Sequence, residues 1–150
     1  MTLFRPHRSR RRGQALVEFS LALIPFLLII MGIADLGRGI YMSNGVSQAA
    51  REIARTTAVH LCGSGGGCPL GSSTETTATI NTQKRMVPGL ADPSSTIVFT
   101  CTNNIEVVQA ECDPGDFVEV TVTVPFSTLT PILSMVAPSS LSASAHVEIP

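Results

Sequence analysis

No acidic residue stands among the first 13 positions of this chain, and no charged residue of either sign occurs from Phe19 to Ala34. The first absence leaves Arg5, Arg8, Arg10, Arg11 and Arg12 without a compensating acid. The second leaves Glu18 as the only charge over the 19 positions from Ala15 to Ile33. At about 1.5 Å of rise per residue, roughly 20 helical residues cross a hydrocarbon core of about 30 Å. The run exceeds the hydrophobic stretch of a secretory signal peptide, which is about 7–15 residues, and no A-x-A-like cleavage site follows it. It therefore reads as a membrane span. Pro25 lies in its middle, where lipid-embedded helices tolerate proline with a kink one turn earlier.

Other absences bear on chemistry. The four cysteines, Cys62, Cys68, Cys101 and Cys112, are spaced C-x₅-C and C-x₁₀-C, so neither a zinc-type C-x₂-C nor a redox C-x-x-C is present. The stretch Cys62–Ser73 is rich in glycine but has no Gly-Lys-Ser/Thr ending and no preceding strand, which excludes a phosphate-binding P-loop. His7, His60 and His146 are scattered, with no nucleophile motif, paired acids or metal box beside them. The expectation is no enzymatic activity, no cofactor, no metal and no small-molecule substrate. A membrane-tethered hydrolase would rest on the histidines alone and would require activity that His146→Ala abolishes.

What charge there is divides sharply. The formal net charge is −1, yet five of the ten basic residues fall within residues 1–12. Residues 14–150 hold 5 basic and 11 acidic side chains, a net of −6. Binding to nucleic acid is therefore not expected, and the arginines read as topology and processing signals. A positive cluster before a span keeps the N-terminus cytoplasmic and sends the C-terminal part across. All four cysteines then lie in the exported, oxidising part. Four cysteines allow three pairings. Cys62–Cys68 and Cys101–Cys112 are favoured, because each pair is close in sequence and flanks a turn-rich stretch.

The chain divides into a basic, unstructured leader at 1–13, a transmembrane helix at 14–36 and an exported domain at 37–150. Asp35 and Arg38 mark the exit of the span, Gly37 and Gly39 loosen the chain there, and Tyr41 suits the interface. A second helix is predicted from Ser43 to Val59, with Val46, Ala49, Ala50, Ile53 and Ala54 on one face. Gln48, Arg51, Glu52 and Arg55 lie on its solvated faces. It continues the first helix with a break expected near Gly37–Gly39. A short helix from Thr74 to Val87 stops at Pro88-Gly89.

From Ser95 onward the period is two. Ile97, Phe99 and Cys101 alternate with polar positions, Asn103-Asn104 is a turn, and Ile105–Gln109 pairs back as a hairpin. Phe117–Phe126 is the clearest strand, with Val118, Val120, Val122 and Val124 on one face. Leu141, Ala143, Ala145, Val147 and Ile149 form a second such row, expected to pair antiparallel with the first and to lie on the Ser43–Val59 helix. Between them, Leu129, Ile132, Leu133 and Val136 stand at helical spacing between Pro131 and Pro138, a short apolar helix or loop that is either domain core or a contact with membrane or partner, with core the preferred reading. The fold class is α+β: a transmembrane helix continuing into a second helix, then a small antiparallel β-sheet domain.

Glu18 has two readings. A carboxylate at the mouth of a span is costly unless it is paired or kept at the interface. Near a helix start it would be held in headgroup water and favoured by the helix dipole. Alternatively, a cut after Gly13 would make Gln14 the N-terminus, and Glu18, one turn on, would pair with that amine or a neighbour's.

The order Gly13, four residues, Glu18 and Phe19 at the cytoplasmic edge of a hydrophobic helix resembles a prepilin cleavage site of the Flp/Tad subgroup. Residues 12–55 resemble the TadE-like pseudopilins. The resemblance runs through Arg12 to Phe19, Pro25, Gly32, Asp35, Gly37 and Arg38, and ends with Ala49 to Arg55. It implies cleavage between Gly13 and Gln14 by a membrane prepilin peptidase, with Glu18 as the glutamate at position five. It further implies support of Flp pilus assembly, with the prepilin peptidase and other Flp/Tad pilins as partners. The place implied is the bacterial cytoplasmic membrane, or the pilus itself. Phe19 stands where major Flp pilins commonly carry tyrosine, and the C-terminal part is long, so a minor, pilin-like component is implied. Classical type IV pilins usually place an aromatic directly after the cut, where this chain has Gln14. The rival reading is an uncleaved, single-pass anchored domain that binds an envelope partner.

Overall fold

A computed structural model describes residues 10–61, 69–103, 107–109, 112–130, 133–135 and 137–150. Its dominant element is one helix, α1, Arg10–Val59, 50 residues long and continuous through Pro25. Two expectations change here. The helix begins at Arg10, inside the stretch expected to be an unstructured leader, and there is no break at Gly37–Gly39. Each glycine costs a helix about 1 kcal/mol relative to alanine. The Phe126 ring packs beside Gly39, where a Cβ would lie at an ordinary contact distance of 3.5 Å, and Gly37 has open space around it.

The most apolar 18-residue window of α1 has none of its residues buried against the other described residues. Leu16, Val17, Phe19, Leu21, Ile24, Phe26 and Ile29 are all exposed. The upper half is buried on one side. Met42, Val46, Ala49, Ala50, Ile53, Ala54 and Ala58 are buried, at the helical spacing read from the sequence. Gln48, Arg51, Glu52 and Arg55 are exposed, as expected of the solvated faces.

A second helix, α2, Thr74–Met86, packs on α1. Ser73 caps it: the Ser73 hydroxyl accepts the Thr76 N–H at 3.2 Å. Glu75 lies in the first turn and Lys84 and Arg85 in the last, matching the helix dipole. The chain leaves at Val87, buried beside Leu90.

Four antiparallel strands follow: β1 Thr96–Thr102, β2 Val108–Gln109, β3 Phe117–Pro125 and β4 Ser140–Glu148, in the order β2-β1-β3-β4. Val120 faces Phe99 on one side and Ala145 on the other, which places the apolar rows of three strands on one face. Val118, Val120, Val122 and Val124 are fully buried there, against the alanine-rich stripe of α1. Small residues on the helix let the sheet approach closely, so most of the buried area comes from the valines. The opposite face carries Glu119, Thr121 and Thr123 beside Ser142, Ser144 and His146. Glu119 and His146 are cross-strand partners, with His146 Nε2 3.4 Å from Glu119 Oε1.

The hairpin expected after Asn103 is present in part. β2 pairs with Cys101 and Thr102, while Asn104–Glu106 lie outside the described residues. The strand expected to reach Phe126 ends at Pro125. Of the stretch Leu129–Val136, Leu129 is 71 % and Met135 89 % exposed and Leu133–Met135 is a single 3-10 turn, while the side chains of Ile132, Leu133 and Val136 lie outside the described residues.

Candidate processing site and helix–head junction

The sequence-derived processing residues lie on the free part of α1. Gly13 is exposed, with no atom within 4 Å of a Cβ built on it. Gln14 and Glu18 are one turn apart, and Gln14 Nε2 donates to Glu18 Oε1 at 3.2 Å. Phe19 is exposed. Because α1 starts at Arg10, Glu18 is beyond its first turn in the uncut chain, where the dipole at the helix start no longer favours a carboxylate.

A second polar constellation stands where the apolar run ends. The Asp35 side chain is 4 % exposed, and a buried carboxylate needs donors. It has two, both from the loop after β3. Asp35 Oδ1 accepts the Leu129 N–H and Oδ2 the Thr130 N–H, each at 2.9 Å. One turn along the same face, Arg38 Nη1 donates to the Ser127 carbonyl at 3.3 Å, and the guanidinium lies 6.0 Å from the centre of the Phe126 ring. Asp35, Arg38 and Gly39 thus hold residues 126–130 against the helix. Beside them is an apolar cleft of about 380 Å³ lined by Gly32, Leu36, Gly39, Phe126, Pro138 and Leu141. Sequence reading noticed Asp35 and Arg38 only as markers of the span's exit. Their partners are some 90 positions away, and no local pattern announces them.

Cys101 and Cys112 form a disulfide that closes the β1–β2 arm onto the chain entering β3. Cys62 and Cys68, with the glycine-rich loop between them, lie outside the described residues. Among the described residues, no group of three or more His, Cys, Asp or Glu side chains comes together.

Residues 13–55 match the family model of TadE-like protein. This segment, under a third of the chain, is similar to TadE-like proteins. The match covers the free half of α1, the Asp35–Arg38 junction and most of the stripe under the sheet, and ends before α2. It supports a Tad pilus-related protein. No curated protein matches the chain, and no solved structure does. By length and composition the TadE-like helix can cross a membrane, and none of its most apolar 18-residue window is buried in the fold. That is compatible with a membrane anchor.

Proposed function

We propose that the chain is a pseudopilin, a structural component that supports assembly of Flp-type pili and their secretion machinery after cleavage between Gly13 and Gln14. The observation that carries this reading is the helix itself. Its lower half is apolar on all sides and unpartnered, its upper half is built into a small α+β head, and a glycine stands at the base of the apolar run. Such a helix suits residence in lipid before assembly and packing against like helices afterwards.

In this reading a prepilin peptidase and other Flp/Tad pilins are the partners, and the protein is the peptidase's substrate rather than an enzyme. The N-terminus lies on the cytoplasmic side and the head is exported. Removal of residues 1–13 makes Gln14 the first residue of α1. Glu18 then lies in the first turn, where the dipole favours it and the new ammonium is within reach.

Intact-mass analysis of the membrane-extracted protein tests the cleavage. In cells with an active prepilin peptidase the chain should begin at Gln14, and Gly13→Leu should leave residues 1–13 attached. Retention of those residues in functional filaments would overturn the reading.

A further inference from the structure

The loop seated on Asp35 leaves two large apolar side chains outside the fold. The backbone N–H groups of Leu129 and Thr130 turn to the helix, while the Leu129 side chain stays in the open, as does that of Met135. We propose that this loop is a second membrane contact, dipping Leu129 and Met135 into the outer interfacial layer of the bilayer and so seating the head on the membrane. The proposal rests on the reading of α1 as a membrane span.

Three observations point to lipid as the occupant. First, depth: counted from Ala15 at the inner edge of the apolar run, the helix rises about 30 Å to Asp35, the thickness of a hydrocarbon core, and about 39 Å to Tyr41, at the outer edge of the headgroup layer. Asp35 to Tyr41 therefore stand in the outer interface, and the loop is hydrogen-bonded to Asp35 at that level. Second, continuity: Leu36 and Ile40, both exposed, line the apolar cleft beside the loop together with Phe126 and Pro138, and Ile33 and Tyr41 are exposed at the same level of the helix. Tyrosine is the residue type favoured in that layer. Third, tethering: the Asp35 and Arg38 contacts fix the loop to the helix at this depth. A loop displaying leucine and methionine beside the exit of a span is covered most simply by the same lipid.

The chain contains no tryptophan, so a single introduced indole reports alone. Full-length Leu129→Trp and, separately, Met135→Trp would be reconstituted in phospholipid vesicles containing lipids brominated near the headgroup, and Phe26→Trp in vesicles whose lipids are brominated near the ends of the acyl chains. Phe26→Trp marks the span, and Val98→Trp marks an exposed position on β1. The expected result is blue-shifted emission and strong quenching by the brominated lipids for Leu129→Trp and Met135→Trp, at every protein-to-lipid ratio. Val98→Trp should instead be quenched by aqueous iodide. Iodide quenching of both loop reporters as free as that of Val98→Trp, with Phe26→Trp still lipid-quenched, would overturn the loop contact and leave the anchor standing. Protection that develops only at high protein-to-lipid ratio would assign the face to a second copy of the chain and overturn the proposal. Loss of lipid quenching at Phe26→Trp as well would overturn the anchor itself.

Discussion

Asp35 and Leu129 are 94 positions apart in sequence, and the carboxylate of the first accepts the backbone N–H of the second at 2.9 Å. With the matching bond to Thr130, this contact joins the end of the apolar run to the β3–β4 connection. It explains why a carboxylate so close to the span is tolerated, since both of its oxygens have donors.

The Asp35→Asn variant tests that contact. An amide retains one acceptor oxygen, but its NH₂ group faces an N–H that it cannot accept. Amide exchange at Leu129 and Thr130 should speed up by roughly tenfold or more, because bonds to a charged acceptor are among the stronger ones. Exchange at Val120, deep in the sheet, should be unchanged. Hydrogen exchange read by NMR distinguishes the two.

Ala50 is fully buried where α1 lies under the sheet. The Ala50→Leu variant forces extra carbons into that seam and should cost about 1–3 kcal/mol. The same leucine at the exposed Gln48 should change stability by no more than about 0.5 kcal/mol. Thermal unfolding of the detergent-solubilised chain, followed by circular dichroism, measures both.

The Cys101–Cys112 bridge spans 11 positions. By loop-closure entropy alone, its removal through Cys112→Ser should destabilise the head by about 3 kcal/mol. The short β2 pairing to Cys101 and Thr102 should be the first structure lost, seen as faster exchange at Val108. Alkylation of the untreated wild-type protein should leave both of these sulfurs unlabelled until a reductant is added.

Asp92 accepts from Ser94 twice, from the backbone N–H at 2.8 Å and from the hydroxyl at 2.6 Å. The side-chain bond first, and the backbone bond after it, hold the Asp92 carboxyl below the usual aspartate value, against a smaller opposing effect of burial. A depressed folded value means that this contribution to stability is complete above the unfolded aspartate pKa of about 3.9 and fades as pH falls through the folded value. The Asp92 side-chain carbon should titrate below that midpoint by NMR, and Ser94→Ala should bring it back towards it.

Strong periodicity made most of the fold legible from residue order. The four valines of β3 and the stripe from Val46 to Ala54 each repeat at the spacing of their element, and burial follows that spacing. The Pro88-Gly89 stop after α2 was equally local. Two features were not local. The continuity of α1 past Gly37 and Gly39 goes with the seating of residues 127–130 on Asp35 and Arg38, partners some 90 positions away. The exposure of Leu129 depends on Asp35 taking up the backbone beside it. Of the processing residues, Gly13 and Glu18 were readable from their place before an apolar run. The Gln14–Glu18 contact follows from their spacing of four.

An unbroken α1 makes the angular setting of the head a matter of residue counting. Each helical residue turns the axis by about 100° and advances it by about 1.5 Å. One residue inserted between Ile30 and Gly32 would swing the sheet by over a quarter of a circle relative to Glu18 while lifting it only slightly. In a helical assembly whose lower helices interlock, the direction in which each subunit's outer sheet face looks is thus geared to the length of the chain between Glu18 and Asp35.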